Sequence, residues 1–81
     1  MKLKKNQLVE IRWSDITSDA AWLKPQISEK YPAVDCLSVG YFLNQDKKLI
    51  RISSMINNND GERDVTVIPL GCVTKIIKLK R

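Results

Sequence analysis

Residues 7–13, QLVEIRW, alternate strictly, with Val9, Ile11 and Trp13 on one side of the pattern and Leu8, Glu10 and Arg12 on the other. A period of two places those sets on opposite faces of an extended chain, so the N-terminal segment reads as a strand with one strongly apolar face. Such a face must be covered by other elements. The same signature returns further along in CLSVGYFLN (36–44), LIRISSMIN (49–57), VTVIP (65–69) and VTKIIKLK (73–80). Five short strands in an 81-residue chain leave room for little else.

The connections are equally informative. Between the first two strands runs a long polar excursion, Ser14 to Asp35, in which Thr17 or Ser18 can cap a short helical turn over Asp19, Ala20, Ala21 and Trp22. Pro25 disfavours helix in the residue before it and stops that turn, and a second turn over Ile27 to Lys30 is stopped by Pro32. The polar run Gln45 to Lys48 predicts a hairpin between strands two and three, Gly40 a bend or bulge in strand two, and NNNDGERD (57–64) a turn. The link IPLGCV (68–73) has room for a single turn between strands four and five.

Strand, long loop, three strands joined by turns, a one-turn link and a last strand predict an all-β fold. The layout is that of a small five-stranded, strongly bent barrel of the Src-homology-3-like or Sm-like kind, with a short helical turn in the first loop and a 3₁₀ turn before strand five. Closure would remove the exposed strand edges. The whole of 1–81 is expected to be one domain, with basic terminal segments at 1–5 and 75–81. A chain this short buries only roughly 60–65% of its unfolded surface, so homo-oligomerisation would add needed stability.

Hydrophobic residues make up 43% and charged residues 28% of the chain, which excludes the disordered class. Cys36 and Cys72 lie in apolar runs without histidine or close cysteine partners, so they read as buried thiols in a reducing cytosol, with a single disulfide as the rival. The N-terminus is basic but lacks the apolar stretch of a signal peptide, and no apolar run has the roughly 18 residues of a membrane span. A soluble cytoplasmic protein is expected. Half of the fourteen basic residues sit at the ends, as Lys2, Lys4, Lys5, Lys75, Lys78, Lys80 and Arg81, leaving a mildly acidic body. They protect strand edges on one reading and attract phosphates on the other.

Catalysis is not expected. The chain has no histidine, its cysteines have no neighbouring base, and Gly40, Gly61 and Gly71 form no phosphate-cradling loop. Asp15, Asp19 and Asp35 can meet across the long loop, but nothing in the sequence marks an apolar setting that would tune a pair of them. No cofactor or metal is called for. RWSDITSDAAW (12–22) instead combines both tryptophans with Asp15, Thr17 and Ser18. Trp13 packs in the core or stacks on a base; Trp22 lids the barrel or does the same. Asp15, Thr17 and Ser18 supply acceptors and donors for a ligand, or merely cap local backbone. In RISS (51–54), Arg51 and Ser53 suit a phosphate, unless Arg51 pairs with Glu10 or Asp64 on a solvated face.

The tryptophan-aspartate-serine loop (Trp13, Asp15, Ser18, Trp22), CLSVGYFL, RISS and DVTVIPLGCV (64–73) together resemble a group of small barrel proteins encoded by bacteriophages and prophages. The resemblance spans most of Val9 to Val73. It implies a compact non-catalytic barrel made in an infected or lysogenic cell, binding host nucleic acid, host proteins or nucleotide-derived immune signals. The favoured expectation is therefore capture of a nucleotide-derived small molecule by an oligomer, blunting a host defence signal. Its ligand-binding residues would be Trp13, Asp15, Thr17, Ser18, Trp22, Arg51 and Ser53. The alternatives are an Sm-like module for RNA or single-stranded DNA, using the basic termini, and an inhibitor that binds a host protein.

Overall fold

A computed structural model describes residues 2–80; Met1 and the terminal cation Arg81 lie outside the described residues. The elements in chain order are β1 (Leu8–Asp15), a four-residue helix α1 (Pro25–Ser28), β2 (Val34–Gln45), β3 (Leu49–Ser53), β4 (Thr66–Pro69), a 3₁₀ turn (Leu70–Cys72) and β5 (Val73–Lys78). All five strands join one antiparallel sheet in the order β4-β3-β2-β1-β5. The expected strands, the hairpin turn and the 3₁₀ link are all present. Closure is not: among the described residues β4 is paired to β3 alone and β5 to β1 alone.

The alternation in β1 does what its period requires. Val9 and Ile11 are fully buried and join Phe42, Ile50, Ile52 and Ile68 in one core. Leu3, Trp13, Leu70, Val73 and Ile76 pack around it. Opposite them, the outer face leaves Leu37 and Val39 of β2 exposed. The core is small, and the turns are held by side chains as well as by backbone. Asp46 accepts the backbone N–H groups of Lys48 (2.8 Å) and Leu49 (2.9 Å), which folds the β2–β3 connection into a tight turn.

Gly40 has a steric role. A Cβ there would lie 2.7 Å from the Ser53 carbonyl oxygen, so β3 can approach β2 only because that position has no side chain. The irregularity expected at Gly40 falls two residues later, where the β2–β3 register shifts between Phe42 and Asn44.

The long first loop departs most from expectation. No helix forms over Asp19 to Trp22; Asp19 accepts the Ala21 N–H (2.9 Å) in a local bend instead. Pro25 starts α1 rather than ending a helix, because its missing N–H is not needed in a first turn. Every residue from Asp15 to Asp35 except Leu23 is exposed. This segment projects from the sheet as an arm, giving extents of 53 × 27 × 24 Å. The radius of gyration is 16.2 Å, against about 12 Å for a compact domain of this length.

The thiols are half-buried rather than buried, and both are free. Cys36 faces Trp13 across one side of β1, and Val73, next to Cys72, faces Trp13 across the other. Two strand spacings, about 9–10 Å, separate those flanks, beyond the reach of a disulfide. Among the described residues no helix is long and apolar enough to cross a membrane.

Because Gly40→Ala forces the new methyl against the Ser53 carbonyl, it should lower unfolding free energy by about 1–3 kcal/mol, measured by urea denaturation. Unchanged stability would show that β2 and β3 can part at no cost.

Candidate functional site

At the base of the arm, a cleft of about 330 Å³ is lined by Arg12, Trp13, Asp35, Cys36, Leu37 and Thr74. A bulge creates it. The β1–β5 register shifts between Arg12 and Trp13, leaving Thr74 as the extra residue between Lys75, opposite Arg12, and Val73, opposite Trp13. Bulges re-aim side chains next to sites, and here the Thr74 hydroxyl donates to the Arg12 carbonyl oxygen (3.1 Å). Trp13 is oriented by packing on the core and by its indole N–H, which donates to Ser38 Oγ (3.0 Å). Trp13 is thus the fixed aromatic residue among those that line the cleft.

Its charged groups are loosely held. Arg12 Nε pairs with Glu10 Oε2 at 2.9 Å, but the arginine side chain is 51% exposed. The Glu10 side chain is only 17% exposed, so the pair meets solvent through its arginine. Ser14 Oγ reaches Asp35 Oδ1 only at 3.4 Å. Residues from both faces of the sheet border this concavity, Trp13 and Cys36 from the face of the core and Arg12, Asp35 and Leu37 from the other, and its volume is near the lower end of the size range of small-molecule sites.

The arm is cross-tied above this cleft. Asp15 accepts the Ile16 N–H (2.9 Å), Thr17 Oγ1 donates to the Pro32 carbonyl oxygen (2.7 Å), and the Tyr31 hydroxyl donates to Asp19 Oδ2 (3.0 Å). The Ala21 N–H and then the Tyr31 hydroxyl hold the Asp19 carboxyl below its ordinary range, while that bond to Asp19 pushes the Tyr31 phenol up. Ser18 is exposed without a hydrogen-bond partner among the described residues, and Trp22 is fully exposed. Of the expected site residues, Trp13 lines the cleft. Asp15, Thr17, Ser18 and Trp22 belong to the adjoining arm.

Arg51 and Ser53 lie elsewhere. Ser53 faces Tyr41, five residues along β2 from the partner of Trp13, a separation of about 17 Å. Ser53 is fully buried, with Oγ 2.9 Å from the Met55 carbonyl oxygen and 2.9 Å from Asp64 Oδ1. Arg51 Nη1 donates to Asn44 Oδ1 (3.0 Å) and lies 3.6 Å from Asp46, not beside Glu10 or Asp64. Both are occupied in holding the hairpin and the loop after β3.

Arg12, Asp35 and Thr74 were not among the expected site residues. Arg12 and Thr74 lie in plain strand patterns, so no local signal marks them. Asp64 organises the segment after β3. Its carboxylate accepts from the Ser54 hydroxyl, from the Met55 N–H (2.9 Å), from Ser53 and from the Ser54 N–H (2.8 Å). Those donors, the Ser54 hydroxyl foremost, hold its carboxyl far below the ordinary range. Among the described residues no three metal-ligating side chains come together. No protein-family model matches the chain, and comparison with curated proteins and with solved structures gave no match.

The ionised Asp64 stabilises the fold at pH above the ordinary carboxylate range, about 4, and that contribution is lost as pH falls through and below it. Asp64→Asn should therefore be less stable than the parent at pH 7 and should lose less stability between pH 6 and pH 2, read from thermal unfolding. Parallel pH profiles would remove the carboxylate from this role.

Proposed function

We propose that the chain is a non-catalytic binding protein that captures a nucleotide-derived small molecule at the cleft beside Trp13. The observation that carries this reading is that one cleft is lined by a tryptophan whose ring is fixed, an arginine whose side chain reaches solvent, Asp35 and Thr74. An indole face stacks on a base for about 1–3 kcal/mol, and an arginine fork recognises phosphate through paired donors. Asp35 and Thr74 offer an acceptor and a hydroxyl for ribose or base edges.

One barrel-sized chain offers little concavity, and a homo-oligomer is part of the proposal. Ile16, Trp22, Ile27, Tyr31 and Val34 on the arm, with Leu37 and Val39 on the sheet, leave apolar surface in water that a second copy would cover. Such packing would bring Trp22, Thr17 and Ser18 over a cleft. The strand order and the 3₁₀ link support placing the sheet with the Src-homology-3-like or Sm-like small barrels, here in an open form. The likeness to phage and prophage barrels supports a role in the host cytoplasm, where removing a nucleotide signal would blunt a defence response.

Titration calorimetry with cyclic dinucleotides and ADP-ribose-type compounds should give heat with one class, accompanied by a change in tryptophan emission. Arg12→Gln, at an exposed position that does not threaten folding, should weaken that binding by about tenfold or more. Absence of heat with every compound would overturn the proposal.

A further inference from the structure

The opposite end of the sheet carries a second feature that the cleft does not use. Antiparallel pairing of β1 with β5 brings the two chain ends together: the Leu79 N–H donates to the Leu8 carbonyl oxygen at 2.9 Å. The basic termini, far apart in sequence, thereby line one groove. A cavity of about 610 Å³ is walled by Lys4, Lys5, Asn6, Gln7 and Lys80. A second, of about 430 Å³, shares Lys4 and Gln7 with it and adds Lys2 and Lys78. No acidic residue lines either cavity, and none of these five lysines has an ion-pair partner among the described residues.

The groove is built on a fixed turn. Asn6 adopts φ +66°, its N–H donates to the Phe42 carbonyl oxygen (2.7 Å), and the Gln7 N–H donates to that of Lys4 (2.9 Å). Gln7 Nε2 donates to the carbonyl oxygens of both Leu8 and Leu79 (3.1 Å each), clamping the two strands. Arg63 adds a further cation at the rim by donating to Asn6 Oδ1 (3.0 Å). Edge protection accounts for Lys75, opposite Arg12 on β5, but not for Lys2, Lys4 and Lys5, which precede β1.

We infer that this groove binds the phosphate backbone of a single-stranded nucleic acid. Unpaired ammonium groups on both walls of a concavity match a narrow polyanion that enters it, whereas a flat membrane or a stiff duplex meets only the rims. The leucines of the walls, Leu3, Leu8 and Leu79, give no stacking platform. Trp13 lies five residues along β1 from Leu8, about 17 Å away. Recognition here is therefore of phosphates without bases, and is distinct from capture at the Trp13 cleft.

The test is fluorescence anisotropy of a short labelled oligouridine with the full chain between about 50 and 200 mM salt. Contacts to four phosphates should give a slope of log K against log salt of about −3, at about 0.7 per contact. Lys4→Gln with Lys80→Gln should reduce the slope by about 1.4 and weaken binding roughly tenfold at the low-salt end. Lys24→Gln with Lys30→Gln, which removes the same charge from the arm, should leave the slope unchanged. No binding at low salt, or equal losses in the two double variants, would overturn the inference. So would lysine-dependent binding to phosphatidylglycerol vesicles without binding to the oligonucleotide.

Discussion

The structure depends on β1 being hydrogen-bonded on both sides, to β2 along its whole length and to β5 along most of it. An antiparallel ladder joins neighbours head to tail, so this double pairing has two unavoidable results. At the Leu8 end the C-terminal lysines return beside the N-terminal ones. At the Trp13 end the chain must leave the sheet and come back to Val34, which produces the arm and the cleft at its base. The basic groove and the Trp13 cleft are thus opposite ends of one strand pairing, held apart by the length of β1.

With six buried hydrophobic residues in the core among the described residues, the loops are organised by side-chain carboxylates. Asp64 ties the segment after β3 to Ser53, Ser54 and Met55, Asp46 closes the β2–β3 turn, and Asp19 joins Ala21 and Tyr31 within the arm. Each accepts backbone N–H groups, and each carboxyl is held below its ordinary range, Asp64 by the Ser54 hydroxyl first and Asp19 and Asp46 by backbone N–H donors first. A charged acceptor makes a stronger hydrogen bond than a neutral one, which suits a chain with little apolar surface to bury. The polar loops that look like candidate ligand sites are therefore partly self-satisfied. Among the described residues Arg12 stands in a surface pair and the lysines stand in none.

The arm shows the opposite balance. Thr17 and Tyr31 tie its two limbs together, yet Ile16, Trp22 and Ile27 face water. Hydrogen bonds within it fix its shape without burying it. That combination of internal order and exposed apolar surface is the ground for proposing that a second copy packs on the arm.

The strands and their order along the chain were legible in the residues, because alternation, turn-forming polar runs and the one-turn IPLGCV link are local signals. Trp13 was legible as a core-facing residue for the same reason: it stands at the end of an alternating apolar face, and it packs against the core in the structure. Pro25 was misread as a stop because a proline that ends one helix and one that begins another look alike in sequence, and only the backbone around Lys24 decides. Gly40 was marked as special, but its reason, the Ser53 carbonyl oxygen lying where a Cβ would stand, is a contact between strands. Arg51 and Ser53 seemed free for a ligand because Asn44, Asp46 and Asp64, their partners, come from register and loop closure. By itself the sequence determined which segments extend and where they turn, since φ and ψ preferences and side-chain period act over a few residues. Tertiary structure alone decided that the sheet stays open, that the arm projects, and that the terminal lysines meet, because each depends on which distant backbone groups pair across space.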